Sequence, residues 1–442
     1  MDDGQAGLAR RHGRAHSGVH AVHVEHREGL EAEALGGPHH LGGLARPVEE
    51  GEGAVRVQFR VTGPGSTHRA RISNRCSIRE ADRPRAVAYP VPMATMRAAA
   101  LGSPGSLALT TRPVPEPGPG EVLLAVEATT ICGTDLRIES GAKTRGVTPG
   151  VVLGHEVAGR VAALGGGLGA GAPAVGAQVG LAPEWVCGSC GPCACGRANV
   201  CENMRLFGTT VDGGLADYLL VPAPAVAQCV VAVERETDPA LLALAEPLSC
   251  CLRAHARLGI GAGDTVAVLG TGPIGLIHCA LAARAGARVI ASGRPARLEP
   301  ALRFGAAHAT AATGAELVAE ARRLTGGRGA DAVIVAVGAP ELAGVSLELA
   351  AVGARVSYFA GFSAGASATI DPNLVHYREL AVLGSANATH ADYAEAVRLL
   401  SSGALDLGGL VTHRFALGDV HAAFDAVRRR RGLKAAVLPG MG

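Results

Sequence analysis

The chain reads as an α/β protein in which an irregular β-rich domain precedes a doubly wound parallel sheet. Three observations predict this. From Asp264 onward, apolar strand-like runs alternate with helical stretches, the pattern that builds a parallel sheet with helices on its faces. The first of these strands runs directly into Gly270, Gly272 and Gly275, a G-x-G-x-x-G spacing that opens a helical run. Upstream, from Arg97 to Ala128, short apolar runs such as EVLLAVEA are broken by the turn-rich PVPEPGPG, as strands of an irregular β domain are.

Taken in order, residues 1–92 come first and differ from the rest. They hold eight of the 16 histidines and many arginines, but only Phe59 and Tyr89 as aromatics, with no sustained period of 2 or 3.6. Such a segment buries too little to order itself, so it is expected to be a disordered extension or a start-site artefact, with the working protein beginning at Met93 or Met96. It has no apolar core of a secretion signal, and its glutamates do not suit a transit peptide. Residues 93–240 are expected to form the β-rich domain. Residues 241–385 carry the parallel sheet: DTVAVLG at Asp264–Gly270, the helical PIGLIHCALAARAGA, ARVIAS, and further strand runs at Ala330–Val337, Ala354–Ala360 and Leu380–Leu383. Residues 386–442 supply one more helix and strand.

The bulk numbers narrow the function. A chain of 442 residues with 48% hydrophobic content supports sizeable cores. Net charge is +2 with no dense basic stripe, so nucleic acid is not an expected partner. The most apolar stretch, Val266 to Ala287, is interrupted by glycines, Pro273, His278 and Arg284; it reads as strand, turn and helix, not a membrane span. Lysine occurs only at Lys143 and Lys434.

Cys187, Cys190, Cys193 and Cys201 form a C-x2-C-x2-C-x7-C array. Zinc favours four thiolates at about 2.3 Å, and two-residue spacers bring the sulfurs together through short turns. Eleven cysteines in 442 residues fall far below the density of a disulfide scaffold. A closed structural zinc site follows, with Cys195 as the spare thiol, and free thiols beside it point to a reducing cytoplasm.

The glycine motif assigns a nicotinamide dinucleotide: Gly270 turns the chain, Gly272 lets backbone approach a pyrophosphate, and Gly275 lets helix and strand pack. Pro273 and Ile274 open the helix whose N-terminus receives the phosphates. Where an acid would bind the ribose diol of NAD, the sequence has Ser292, followed by Arg294 and Arg297. A hydroxyl and guanidinium groups suit a 2′-phosphate, so the cofactor is NADP or NAD, with the balance toward NADP.

A second cluster comprises Cys132-Gly133-Thr134-Asp135 and Gly154-His155-Glu156, with Glu246 in AEPLSC as a further acid. One thiolate, one imidazole and a carboxylate are what a catalytic zinc needs, with one position left for a substrate oxygen.

CGTD at 132–135, GHEVAG at 154–159, the four-cysteine lobe, AEPLSC and GTGPIG together resemble the zinc-dependent medium-chain alcohol dehydrogenases, and within them the polyol (sorbitol or iditol) and threonine dehydrogenase branch. The resemblance runs from about Arg97 to about Pro439. It implies a GroES-like β domain, completed by the C-terminal segment 386–442, and a Rossmann domain between, with the active site in the cleft between them. It also implies two zincs per chain. Cys132 and His155 would hold the catalytic one, completed by Glu156 or Glu246, while Cys187, Cys190, Cys193 and Cys201 hold the structural one. Glutamate in AEPLSC, where classical alcohol dehydrogenases carry cysteine, favours the polyol branch. Thr134 would relay the hydroxyl proton, and Asp135 would orient His155. The implied reaction is hydride transfer between a secondary alcohol, a polyol or sugar alcohol, and NAD(P), giving the ketone. A threonine-type amino alcohol is the alternative substrate, and a non-catalytic dinucleotide- or zinc-binding protein the alternative class. Zinc-free quinone or enoyl reductases lack the ligands present here. A homodimer or homotetramer is expected. Arg137 stands where many relatives have a histidine that passes the proton to solvent, GAQV replaces the usual G-D-R-V turn, and Ser292 replaces the cofactor aspartate.

Overall fold

The computed structural model describes residues 94–441 apart from Pro104 and Ala170; the expectations for residues 1–92 and a start at Met93 lie outside the described residues. The N-terminal part comprises β1 (Thr95–Leu101), β2 (Leu107–Pro113), β3 (Val122–Thr130), β4 (Glu156–Leu164), β5 (Gln178–Leu181), β6 (Glu184–Trp185), β7 (Arg205–Leu206), β8 (Tyr218–Val221) and β9 (Val230–Ala232). The nucleotide-binding part adds β10 (Thr265–Leu269), β11 (Arg288–Ser292), β12 (His308–Thr310), β13 (Ala330–Val335), β14 (Ala350–Tyr358) and β15 (Ala381–Gly384). β16 (Val411–Ala416) and β17 (Lys434–Leu438) close the chain.

The protein is α/β. Strands β10–β15 form a parallel sheet in the order β12-β11-β10-β13-β14-β15, the order of a doubly wound dinucleotide fold. Every residue of β10 is buried, because helices cover both faces, and beyond Thr265 the strand is wholly apolar. The strand order reverses between β10 and β13, so the crevice for a ligand opens at their C-terminal ends. β12 and β16 are additional to the sequence expectation; each is short, with partly exposed residues, and gives too little alternation to read.

Strands β3, β4, β5, β8 and β9 join β16 and β17 in a second sheet, in which β17 pairs antiparallel with β3 through Ala436↔Thr130 and Val437↔Thr129. β17 thus completes, late in the sequence, a sheet that β3 begins. Helix Ala245–Leu258 packs against helix Pro273–Arg284 and helix His390–Ser401, linking the two sheets. The first helix ends at Gly259 in the left-handed region, and the last starts with a Thr389–Asp392 capping box. No helix among the described residues is long and apolar enough to cross a membrane.

Candidate active site

A cleft of about 1690 Å³ runs between the two sheets and contains both halves of the chemistry. On one wall lie Gly270, Gly272, Pro273, Ile274, Ser292 and Arg294. Gly270 adopts φ +104°, and a Cβ on Gly275 would lie 1.7 Å from the Gly270 carbonyl oxygen; neither position accepts a side chain. Gly272, by contrast, faces open space and caps helix Pro273–Arg284, whose free amides and dipole suit a pyrophosphate. Ser292 ends β11 and donates its hydroxyl to the Ala312 carbonyl at 2.9 Å. Arg297 lines the cleft with Arg294 and Arg430. Burial and these two neighbouring charges hold its pKa below the ordinary arginine range. One of its nitrogens, Nη1, is buried without a partner among the described residues.

On the opposite wall, Cys132, His155 and Glu156 bring one sulfur, one ring nitrogen and one carboxylate oxygen within 4.8 Å of one another. Cys132 precedes helix Gly133–Glu139, and its amide donates to Asp135 Oδ2 at 2.8 Å. The other oxygen of this wholly buried aspartate lies 3.2 Å from His155 Nδ1. Burial would raise Asp135, but His155 and the Cys132 amide leave its pKa below the usual range. Burial would lower His155, but Asp135 and Cys132 drive its pKa well above the ordinary value. The cluster therefore creates a field that favours a cation, and its soft and borderline donors fit zinc.

Glu156 is buried at the start of β4 and accepts from Thr130 Oγ1. Lys434 Nζ lies 2.7 and 2.6 Å from its two oxygens. Lys434 is buried, which alone would lower its pKa; Glu156 and Cys132 hold it above the ordinary lysine value. Glu246 lines the same cleft on helix Ala245–Leu258, outside the compact three-residue group. Burial raises it to about 7, and burial together with Glu246 raises neighbouring Glu184 to about 8. Thr134 and Arg137 also line the cleft.

Glu184, Lys434, Arg253 and Arg430 are site residues that sequence reasoning missed. Only Lys434 carried a signal, since both lysines of this arginine-rich chain, Lys143 and Lys434, line the cleft.

Cys187, Cys190, Cys193 and Cys201 form a separate group, and Cys195 stands outside it. Cys201 Sγ lies 3.5 Å from Cys187 Sγ and 3.7 Å from Cys190 Sγ. A disulfide needs about 2.05 Å, whereas a tetrahedron of bonds near 2.3 Å has edges of about 3.8 Å. The Ser189 amide, the Asn203 side chain and the Cys190 amide hold Cys187 down to about 5, while desolvation and the sulfurs of Cys190 and Cys201 push Cys193 up to about 12. Thiols that resist ionising together do so readily around one dication.

A dinucleotide crevice that shares its cleft with a Cys–His–carboxylate group defines a metal-dependent dehydrogenase. Residues 118–231 match the alcohol dehydrogenase GroES-like domain, and residues 273–402 match the zinc-binding dehydrogenase family. The L-threonine 3-dehydrogenase of Pyrococcus furiosus is 34% identical over 322 residues, covering 71% of this chain and 90% of that protein. The L-galactonate-5-dehydrogenase of Escherichia coli K12 is 32% identical over 348 residues, covering 78% and 99%. A zinc-binding dehydrogenase from Sinorhizobium meliloti 1021, solved bound to NADP, superimposes with TM-score 0.73 at 34% identity, covering 78% of this chain and 100% of that one. The chain belongs to the zinc-dependent medium-chain alcohol dehydrogenase family, and it is an NAD(P)-linked oxidoreductase acting on a small-molecule substrate.

Proposed function

We propose that the protein interconverts a secondary alcohol of the polyol or sugar-alcohol class with its ketone, using NADP and two zincs per chain. The observation that carries this reading is the convergence of Cys132, His155 and Glu156 in the cleft that the Gly270–Ile274 turn also lines. Those three residues would hold the catalytic zinc, with Glu246 facing substrate beside them, and the four cysteines would hold the structural one. Bound there, zinc supplies Lewis acidity that makes an alcohol hydroxyl easier to deprotonate. Asp135 fixes the His155 ring through Nδ1, which sets the tautomer and leaves Nε2 for the metal. Thr134 would take the hydroxyl proton, and Arg137 marks the solvent end of that route. Lys434 and Thr130 hold Glu156 in place.

The NADP assignment rests on Ser292 in place of an acid and on the basic group Arg294, Arg297 and Arg430 at that end of the cleft. The L-threonine 3-dehydrogenase relatives favour a second substrate reading, oxidation of an amino alcohol. Free thiols fit a cytoplasmic protein. A homodimer or homotetramer is part of the same proposal. A native chain beginning at Met93 or Met96 is part of the same proposal, and N-terminal sequencing tests it.

Elemental analysis of wild type and Cys132→Ser tests the metal assignment, with sorbitol and threonine oxidation followed on NADP and NAD. Two zincs falling to one, with activity lost, is the expected result. One zinc in both proteins would overturn the catalytic ligand set.

A further inference from the structure

The cleft has a basic wall that the chemistry above does not use. Glu246, Cys250, Arg253 and Arg257 follow at spacings of four, three and four along helix Ala245–Leu258, and all line the cleft. Such spacing puts them on one helix face. Glu246 is the end near the ligand group, within electrostatic reach of His155 and Glu156. Arg253 stands two turns further on, about 10 Å along the axis.

Arg253 is held but not satisfied. Its Nη2 donates to Asn199 Oδ1 at 3.3 Å, while its Nε is buried with no hydrogen-bond partner among the described residues. Asn199 is itself buried and fixed: its Nδ2 donates to the Ala386 carbonyl at 2.9 Å, and its own carbonyl accepts from Asn387 Nδ2 at 3.0 Å. Arg197, from the four-cysteine lobe, lines the cleft as well. A guanidinium that lines the cleft and is positioned by a rigid amide is suited to receive an anion, and its planar fork matches a carboxylate.

We propose that Arg253 is the anion-recognising end of the substrate site, and that the preferred alcohol is a polyhydroxy acid. Its terminal carboxylate lies on Arg253 while one of its hydroxyls sits at Cys132, His155 and Glu156. The inference rests on the polyol reading above and narrows it. The rise of two helical turns exceeds the span of a short hydroxy acid such as threonine, so a longer polyhydroxy acid, met by the reach of the Arg253 side chain, is the better match.

The test uses zinc-loaded full-length protein, wild type, Arg253→Met and Arg253→Lys. Gluconate and galactonate are compared with their neutral counterparts sorbitol and galactitol, with sorbitol 6-phosphate and L-threonine as further arms. The aldonate-to-alditol ratio of kcat/KM is expected to favour the acids in wild type. It should fall about 10- to 100-fold in Arg253→Met, the loss of one charge-assisted contact, mainly through KM, and recover in part in Arg253→Lys. A ratio that favours neither class, or does not move in the variants, overturns the anion site while leaving polyol oxidation standing. Preference for the phosphate ester, or an Arg253 effect confined to threonine, overturns the sugar-acid assignment. If neither aldonate nor alditol is oxidised, the polyol reading itself fails. Calorimetric binding of gluconate to the enzyme–NADP complex then decides the anion site: binding lost in Arg253→Met supports it, and absent or unchanged binding overturns it.

Discussion

Gly272 and Gly275 lie in one turn, yet a methyl group added to each should do different damage. At Gly275 the new Cβ would sit 1.7 Å from a carbonyl oxygen, so helix Pro273–Arg284 must shift; Gly275→Ala is expected to cost about 3 kcal/mol or more, read as a lowered Tm. At Gly272 there is open space, so Gly272→Ala should leave Tm within a degree or two and raise KM for the cofactor about tenfold, because the methyl group occupies the pyrophosphate's approach. Asp135→Asn keeps the shape of its site but weakens the hold on His155, and is expected to lower zinc affinity or kcat/KM about 10- to 100-fold. These residues were legible in the sequence because motif spacing encodes them. Lys434 was not, since its role depends on a strand returning from 278 residues away to meet Glu156, a distance no local pattern records.

The pairing of helices Ala245–Leu258 and Pro273–Arg284 carries its own titration. His255 Nε2 lies 3.1 Å from His278 Nδ1, and the two rings stack. Burial drives His255 down to about 4; burial and His255 drive His278 well below its ordinary value. Both are neutral in the fold near pH 6, whereas in the unfolded chain they titrate near 6.5. The unfolded state therefore binds more protons in that window, so stability is full above about pH 7 and is lost as pH falls from 6.5 toward 4. The Tm of wild type should drop across this range more steeply than that of His278→Leu; equal slopes would remove the pair as the cause. At this scale the parallel sheet was readable from strand–helix alternation, while β12 and β16 were not, because neither is fully buried nor long enough to impose a period. The clustering of the four cysteines was readable from their spacing, but the docking of their lobe was not. Asn199, within the lobe, holds the 386–387 loop and Arg253 through side-chain amide bonds whose partners lie far apart in sequence.

Across the molecule, the buried Lys434–Glu156 pair joins β17 to the start of β4. Lys434→Met would leave Glu156 buried without its counter-charge and is expected to lower stability by about 3 kcal/mol or more, with a fall in Tm and weaker zinc retention. Double substitution with Glu156→Gln should recover part of the stability but none of the metal. The architecture as a whole was foreseeable because each sheet announces itself by composition; that β17 belongs to the first sheet was legible only through the resemblance to known dehydrogenases. The return of β17 to β3 also sets an order of events during synthesis. The parallel sheet of β10–β15 is complete on the emerging chain before Lys434 has been translated, while the first sheet still lacks its last strand. A ribosome that stalls or terminates before codon 434 releases a protein with a finished nucleotide-binding half and a first sheet that lacks β17. Such a product should bind cofactor and be cleared by proteolysis at its open sheet.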